Sequence, residues 1–267
     1  MYTFTLACHL FLSINDTEKV LKLLYHFNNL TDGILSVPLS IPGTPFHRAT
    51  RAMESLRKEI YLIIKERREA LAKNLASPTQ DVLSQMIAVP FDDGFMTELE
   101  IVDKILAILL GGEDTTTATI TFAMKYLSEM PHLYNAVLKV MRHVPIVQGA
   151  FREVKEDITF EGYVIPKGWK LYWSVGSSHH NSEYFSEPER FNPIRFEGNG
   201  PSPYTHVPFG VGPLMCPGHE YARLTILVFL HYVVKMFQWE PILPNEKMKF
   251  KAAPMPAEGF PVCLSPH

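Results

Sequence analysis

The sequence predicts a mainly α-helical fold that carries small β-sheets. Three observations predict it. The first 144 residues hold long runs with apolar side chains three and four positions apart. After Pro145 the period shortens to two, with turn signals between short runs. An apolar run from about 220 to 237 then returns to helical spacing. The 267 residues, 46% hydrophobic, suffice for a substantial core. We read residues 1–267 as one domain of two textures, helical over 1–144 and β-rich over 145–267.

The elements follow in order. MYTFTLACHLFLSIND is an apolar run interrupted by His9. It falls short of the roughly 20 apolar residues a bilayer needs and lacks a basic leader, so it reads as core that begins at once. Asn15 and Glu18 read as a capping box ahead of Val20, Leu21, Leu23, Leu24 and Phe27. Residues 29–45, with Gly33, Pro38, Pro42, Gly43 and Pro45, read as a loop. Phe46 to Asn74 reads as an amphipathic helix with Met53, Leu56, Ile60, Ile63 and Ile64 inward and its charges solvated. Ser77-Pro78 opens a short helix containing Asp81, Leu83 and Met86.

Thr97 and Glu100 form a second capping box. The helix behind it runs from about 98 to 129, roughly 50 Å. Gly111-Gly112 at its middle costs about 2 kcal/mol relative to alanine, which marks a groove or kink in a core helix. Pro131 restarts a short helix to about Met141. Residues 157–175 read as strands around Gly162 and Pro166-Lys167-Gly168. Residues 181–215 read as a long loop, a feature that in a compact domain is usually functional. The tail from 240 has short β-like runs.

The composition bounds the chemistry. Net charge is −3 with signs mixed, so no polyanion-binding surface is implied and a nucleic-acid partner is excluded. Cys8, Cys216 and Cys263 are odd in number and far apart, which suits a reducing compartment better than a disulfide framework. No CxxC or HExxH spacing suggests zinc. Cys216 stands apart, between Gly210, Gly212 and Gly218 and ahead of the last helix. Glycines allow a tight backbone there, and amides with a helix start stabilise a thiolate. Such a thiolate suits axial ligation of haem iron. A small buried apolar residue is the other reading of this cysteine.

Three motifs carry a resemblance. Phe209-x-x-Gly212-x-Leu214-x-Cys216-x-Gly218 is similar to the cysteine-loop signature F-x-x-G-x-R-x-C-x-G of the cytochrome P-450 haem-thiolate monooxygenases. Gly111-Gly112-Glu113-Asp114-Thr115-Thr116 resembles their oxygen-binding motif, and Phe191-Asn192-Pro193-Ile194-Arg195-Phe196 their P-E-R-F region. SPTQDVLSQM, QGAFREV, PKGWKLYWS, GPSPYTHVPFG and CPGHEYARLTILVF look like plant members that oxidise triterpene or diterpene (taxane-type) skeletons. The fold implied is a partial cytochrome P-450 fold.

The resemblance implies an oxidoreductase that uses O2 and reductase-supplied electrons to hydroxylate a terpenoid or sterol-like substrate. The implied cofactor is haem, an iron protoporphyrin whose axial ligand is the Cys216 thiolate. Phe209, Gly212 and Gly218 shape the cofactor-binding loop, and Arg152 in QGAFRE matches an arginine that contacts a haem propionate. Asp114 and Thr115 match the catalytic pair of the oxygen side, where a hydroxyl interrupts the helix ladder and helps deliver protons. A plain surface arginine and a core threonine bonded to its own helix are the other readings of Arg152 and Thr115. Residues 254–260, PMPAEGF, resemble a substrate-lining loop, with a surface turn as the alternative. The implied partner is an NADPH-dependent reductase. The implied location is the cytosolic face of the endoplasmic reticulum, or the cytoplasm for a chain without the family's anchor.

Departures from the pattern matter equally. The family has an anchor and several helices ahead of the point matched by residue 1, and comparison with its pattern implies an intervening helix and loop deleted near residue 138. Lys139 stands where the family's E-x-x-R glutamate belongs, beside Arg142. Leu214 stands where an arginine would bond a propionate, a loss of about 1.5–3 kcal/mol. His219 stands where relatives often have lysine. The competing expectation is therefore a non-catalytic, truncated member that cannot hold haem. A third is a helical interaction protein with Cys216 as a free thiol.

Overall fold

The protein is described by a computed structural model over residues 1–90, 94–129, 141–142, 144–190, 192, 196, 200–250 and 253–267. Seven helices occur among the described residues: α1 (Tyr2–Leu12), α2 (Thr17–Gly33), α3 (Pro45–Ala72), α4 (Val82–Ala88), α5 (Glu98–Glu129), α6 (Val175–His179) and α7 (His219–Met236). Eight short strands accompany them: β1 (Gly149–Glu153), β2 (Ile158–Phe160), β3 (Tyr163–Ile165), β4 (Lys170–Ser174), β5 (Phe237–Pro241), β6 (Met248–Phe250), β7 (Pro254–Pro256) and β8 (Val262–Pro266). The mainly helical class with small sheets is what the sequence predicts. Lys139, Arg195 and most of the short helix expected from Pro131 lie outside the described residues; Met141 and Arg142 are helical. No helix among the described residues is long and apolar enough to cross a membrane.

The chain divides into two compact units, residues 1–117 with 249–254, and residues 118–248 with 255–267. In the first unit α2, α3, α4 and α5 each start where a side chain satisfies orphan N–H groups, whereas α1 starts at Met1 with no side-chain cap. Asp16, not Asn15, caps α2, accepting from the backbone N–H of Glu18 and Lys19. The Asn15 side chain is spent on His9 instead. Thr44 caps α3, with Pro45 in its first turn. Asp81 caps α4 through the Ser84 N–H at 2.6 Å, so residues 77–80 form a turn and not the helix start read from Ser77-Pro78. The box read from Thr97 and Glu100 does form, with the Thr97 N–H donating to Glu100 at 2.8 Å and the Glu100 N–H donating to the Thr97 hydroxyl at 3.3 Å.

Helical spacing then sets the core. Ala49, Ala52, Leu56, Ile60 and Ile64 form the buried stripe of α3. They pack with Phe4, Leu12, Leu23, Phe27, Leu83, Ile101, Ile105 and Leu109. Gly33 is required by close approach, because a Cβ there would stand 2.4 Å from the Ala49 Cβ and 2.6 Å from the Pro45 carbonyl oxygen. Arg67 of α3 donates to the carboxylate of Asp81, to the Ser84 hydroxyl at 2.6 Å and to the Leu12 carbonyl at 2.8 Å. One buried ion pair thus ties α1, α3 and α4 together.

The second unit is built on the C-terminal turns of α5 and on α7, whose Thr225, Ile226 and Leu230 are buried. The Trp239 indole donates to the Met124 carbonyl at 2.9 Å, joining β5 to α5. Strands β1 and β4 pair antiparallel, with Arg152 opposite Leu171, and β5 pairs with β8. The other stripe of α7, Leu224, Val228, Tyr232 and Met236, is exposed. An amphipathic helix buries one stripe, so α7 carries a second apolar stripe that the second unit leaves exposed.

Candidate functional site

The residues singled out by sequence fall in both units, and each group is described within its own. In the first unit the motif 111–116 lies in unbroken α-helix. The Thr115 hydroxyl donates to the Gly111 carbonyl at 2.7 Å, so it is bonded within its own helix. A Cβ at Gly111 would meet no atom within 4 Å, so that face of α5 is open to an approaching group. Asp114 is half-buried. Glu113, a position the motif leaves unspecified, is buried, and its carboxylate accepts from Thr3 at 3.4 Å and Thr117 at 3.2 Å. Sequence reading missed this cluster, although the Glu113/Thr117 spacing of four was visible. The buried Thr116 hydroxyl has no partner among the described residues.

In the second unit the thiol sits on a closed loop. The Cys216 N–H donates to the Phe209 carbonyl at 2.9 Å, pinching residues 209–216 into one turn. Gly210 and Gly212 have φ of +76° and +73°, the left-handed region in which a side chain is strained, so glycine is needed at both. Residues 212–214 make a 3-10 turn, and Gly218 precedes the first turn of α7. A Cβ at Gly218 would lie 4.0 Å from the Cys216 Sγ, so glycine keeps that flank of the sulfur clear. The His219 ring bonds the Cys216 carbonyl through Nδ1 at 3.1 Å and meets Glu220 at 3.3 Å.

Behind the loop stands a buried cluster of which motif reading found Arg142 but not the two histidines. Arg142 is 1% exposed and donates to the carbonyls of His179 at 2.8 Å, Pro188 at 3.0 Å and Arg190 at 3.3 Å. Its guanidinium lies 5.1 Å from the centre of the Phe185 ring. His179 is fully buried and stacks on His206, ring centres 5.4 Å apart. Burial pushes His179 down to about 3, helped by the nearby His206, Arg142 and His180 charges; burial and Arg142 push His206 down to about 4. Both rings are neutral at neutral pH.

Arg152 is exposed on β1 and donates to its neighbour's carbonyl, that of Phe151, at 2.8 Å. Leu214 is 70% exposed. The loop suits a haem at the axial position: a half-buried thiol with a clear flank, on a turn whose exposed Val211, Leu214 and Met215 are apolar. It offers no cation at 214 for an anionic substituent of such a group.

Comparison with known proteins bears on this loop. The cytochrome P450 family model matches residues 13–139 and 122–264. The beta-amyrin 28-monooxygenase CYP716A378 of Saponaria officinalis is 49% identical over 299 residues, covering 100% of this chain and 62% of its own. The beta-amyrin 28-monooxygenase of Vitis vinifera is 48% identical with the same coverage. The chain thus spans about 62% of the length of these relatives. The alignments exceed the chain's 267 residues by 32 positions, and the family model matches in two stretches that overlap at 122–139, where the sequence reading places its deletion. Among solved structures, the retinoic acid-bound cyanobacterial CYP120A1 superposes with TM-score 0.87 at 28% identity, covering 99% of this chain and 67% of that one. The haem domain of cytochrome P450DA, at 17% identity, shares the fold with TM-score 0.82 over 99% of this chain and 66% of that one. By sequence and by fold, the chain belongs to the cytochrome P450 family.

Proposed function

We propose that this chain carries the thiolate half of a haem monooxygenase that hydroxylates a triterpenoid, with a β-amyrin-type pentacycle oxidised at position 28 as the first substrate to test. The observation that carries the reading is the Cys216 loop, which closes on the Phe209 carbonyl and leaves the sulfur flank clear. Relatives at 49% and 48% identity that bear the name beta-amyrin 28-monooxygenase support the substrate class.

A bound haem would supply oxidation of an unactivated C–H bond using O2 and electrons from a reductase. Cys216 would hold it through the thiolate, with Phe209 and the glycines at 212 and 218 fixing the sulfur's place. Asp114 and Thr115 would handle protons on the oxygen side; the Thr115 hydroxyl must first leave its 2.7 Å bond to Gly111 or pass its proton from there. Arg152, exposed on β1, is free to turn toward an anionic group only by giving up a local bond to Phe151. An NADPH-dependent reductase is the proposed electron donor, and the cytosolic face of the endoplasmic reticulum the proposed location.

The test is the carbon-monoxide difference spectrum of the reduced protein after reconstitution with haem. A thiolate-type Soret band supports the reading, and no haem uptake overturns it for this chain. One observation favours a second reading, a member that keeps the loop without holding haem: Leu214 is exposed and apolar where the family's motif has arginine. Leu214→Arg separates the two. A charged hydrogen bond is worth about 1.5–3 kcal/mol, so the variant is expected to retain haem at least about tenfold more tightly. No gain at any haem concentration counts against the second reading's stated cause.

A further inference from the structure

We propose that His179 is a positioning residue for Cys216, a neutral imidazole clamp that anchors the start of the thiol loop to the buried Arg142. The inference rests on the haem-thiolate reading for its purpose, but its geometry is independent of any bound group.

The clamp has two ends. At the backbone end, the His179 carbonyl accepts from Arg142 at 2.8 Å. At the side-chain end, His179 Nε2 stands 3.0 Å from the Val207 amide nitrogen. A backbone N–H can only donate, so Nε2 must be the bare acceptor nitrogen and Nδ1 carries the proton. From Val207 the path is short. The Val207 carbonyl accepts from the Gly210 N–H at 3.0 Å, and the Phe209 carbonyl accepts from the Cys216 N–H at 2.9 Å. Three hydrogen bonds therefore lead from the imidazole to the amide of the thiol residue.

Loop anchoring by a histidine fails if the ring takes a second proton, since Nε2 then becomes a donor facing a donor. The surroundings prevent this. His179 is fully buried, and its burial together with the charges of His206, Arg142 and His180 outweighs the Arg142 backbone contact that favours a further proton. The clamp is thus locked in its accepting form across the neutral range, which explains why imidazole is workable beside a buried guanidinium. The cost shows in the same place, because the buried Nδ1 has no partner among the described residues.

The test reads the thiols of the 267-residue chain without haem. Cys216 is half-buried, Cys8 buried and Cys263 exposed, so the three report on the loop, the first unit and bulk accessibility. Alkylation rates are measured for the wild type, His179→Phe and His179→Gln. The glutamine amide oxygen reaches about the place of Nε2 and can accept the Val207 N–H. The expected result is a rise of at least about tenfold at Cys216 in His179→Phe, no change at Cys8 or Cys263, and return to near the wild-type rate in His179→Gln. An unchanged Cys216 rate in His179→Phe overturns the proposal. If Cys8 accelerates as well, the phenylalanine variant has unfolded, and His179→Gln decides: a wild-type Cys216 rate supports the clamp, and a fast one overturns it. In reconstituted samples His179→Phe should convert a thiolate-type Soret band toward the thiol type, with glutamine restoring it. Failure of haem uptake in the wild type would sink the haem reading and leave the thiol result standing by itself.

Discussion

Arg67 and Arg142 are both guanidinium groups withdrawn from water, and the two units hold them by different means. Arg67 faces the carboxylate of Asp81, whose side chain is wholly buried, with Ser13, Ser84 and the Leu12 carbonyl completing the network. Arg142 donates to three backbone carbonyls and has two imidazoles for neighbours. A carboxylate brings a full opposite charge and makes the pair interdependent. Carbonyl dipoles reach Arg142 from several residues, and its charge acts on the two imidazoles beside it. Burial alone would raise the Asp81 carboxyl, but the bonds from Arg67, Ser13 and Ser84 outweigh it and hold it below its usual range. In the second unit burial and the guanidinium act in the same direction and push both histidines down.

The largest effect should come from breaking the first arrangement. Asp81→Ala removes the partner of Arg67 and the cap of α4 together. Stranding a buried cation costs about 3–5 kcal/mol, and a lost cap adds about 1 kcal/mol. Urea unfolding followed by circular dichroism should show a loss of that order, and a loss under about 1 kcal/mol would mean Arg67 finds solvent in the variant.

Acid should separate the units. The depressed Asp81 carboxyl contributes stability that is present above its unfolded value of 3.8 and is lost only as pH falls below that. The histidines behave otherwise. Unfolded imidazoles take protons below their ordinary 6.5, while His206 resists to about 4 and His179 to about 3. The unfolded state therefore binds more protons in the window from about 6.5 to 4, and stability of the second unit falls as pH drops through it. For His206 alone the loss by pH 4 is on the order of 3 kcal/mol. Hydrogen exchange read by mass spectrometry should show α7 peptides losing protection at pH 5 while α3 peptides keep theirs. Equal loss in both would erase the contrast.

A smaller effect isolates one imidazole. The His206 Nε2 is buried without a partner among the described residues, and its ring meets Phe196 edge-on at 4.9 Å. His206→Phe keeps an aromatic ring and removes the orphaned nitrogen, for a gain of about 1–2 kcal/mol at pH 7. The acid window should narrow in step. A thermal midpoint that falls instead would show that the nitrogen is satisfied, for instance by an internal water.

How much of this was legible in advance follows from distance along the chain. The stripe of α3, the extent of α5 and the Thr97/Glu100 box are local patterns, and periodicity reads local patterns well. Caps were less secure, because Asn15 and Asp16 are adjacent and chemically alike, and only the bond geometry chose Asp16. At Ser77 a proline suggested a helix start that the Asp81 side chain supplies four residues later. The Cys216 loop was legible for the same reason as the helices, since all its fixed positions lie within ten residues. The clamp behind it was not. Its bonds join Arg142 to His179 across 37 positions and His179 to Val207 across 28, and nothing in local composition pairs them.

The smallest prediction guards the comparison against a simpler account, that ion pairs as such distinguish the units. Arg57 and Asp103 meet at 2.9 Å, an ordinary distance for an ion pair, but both side chains are about half exposed. Water already solvates each charge, and ordering two mobile side chains offsets the Coulomb gain, so such pairs contribute about 0.2–1 kcal/mol. A double-mutant cycle of Arg57→Ala and Asp103→Ala should give a coupling below about 0.5 kcal/mol that fades at 1 M salt, where screening acts within about 3 Å. Set beside the Asp81 result, that would show burial to be the variable: the same two functional groups at similar distance differ severalfold because in one case water has been removed. A coupling as large as the Asp81 loss would instead mean that first-unit stability follows the ion pairs wherever they lie, and burial would not be the variable.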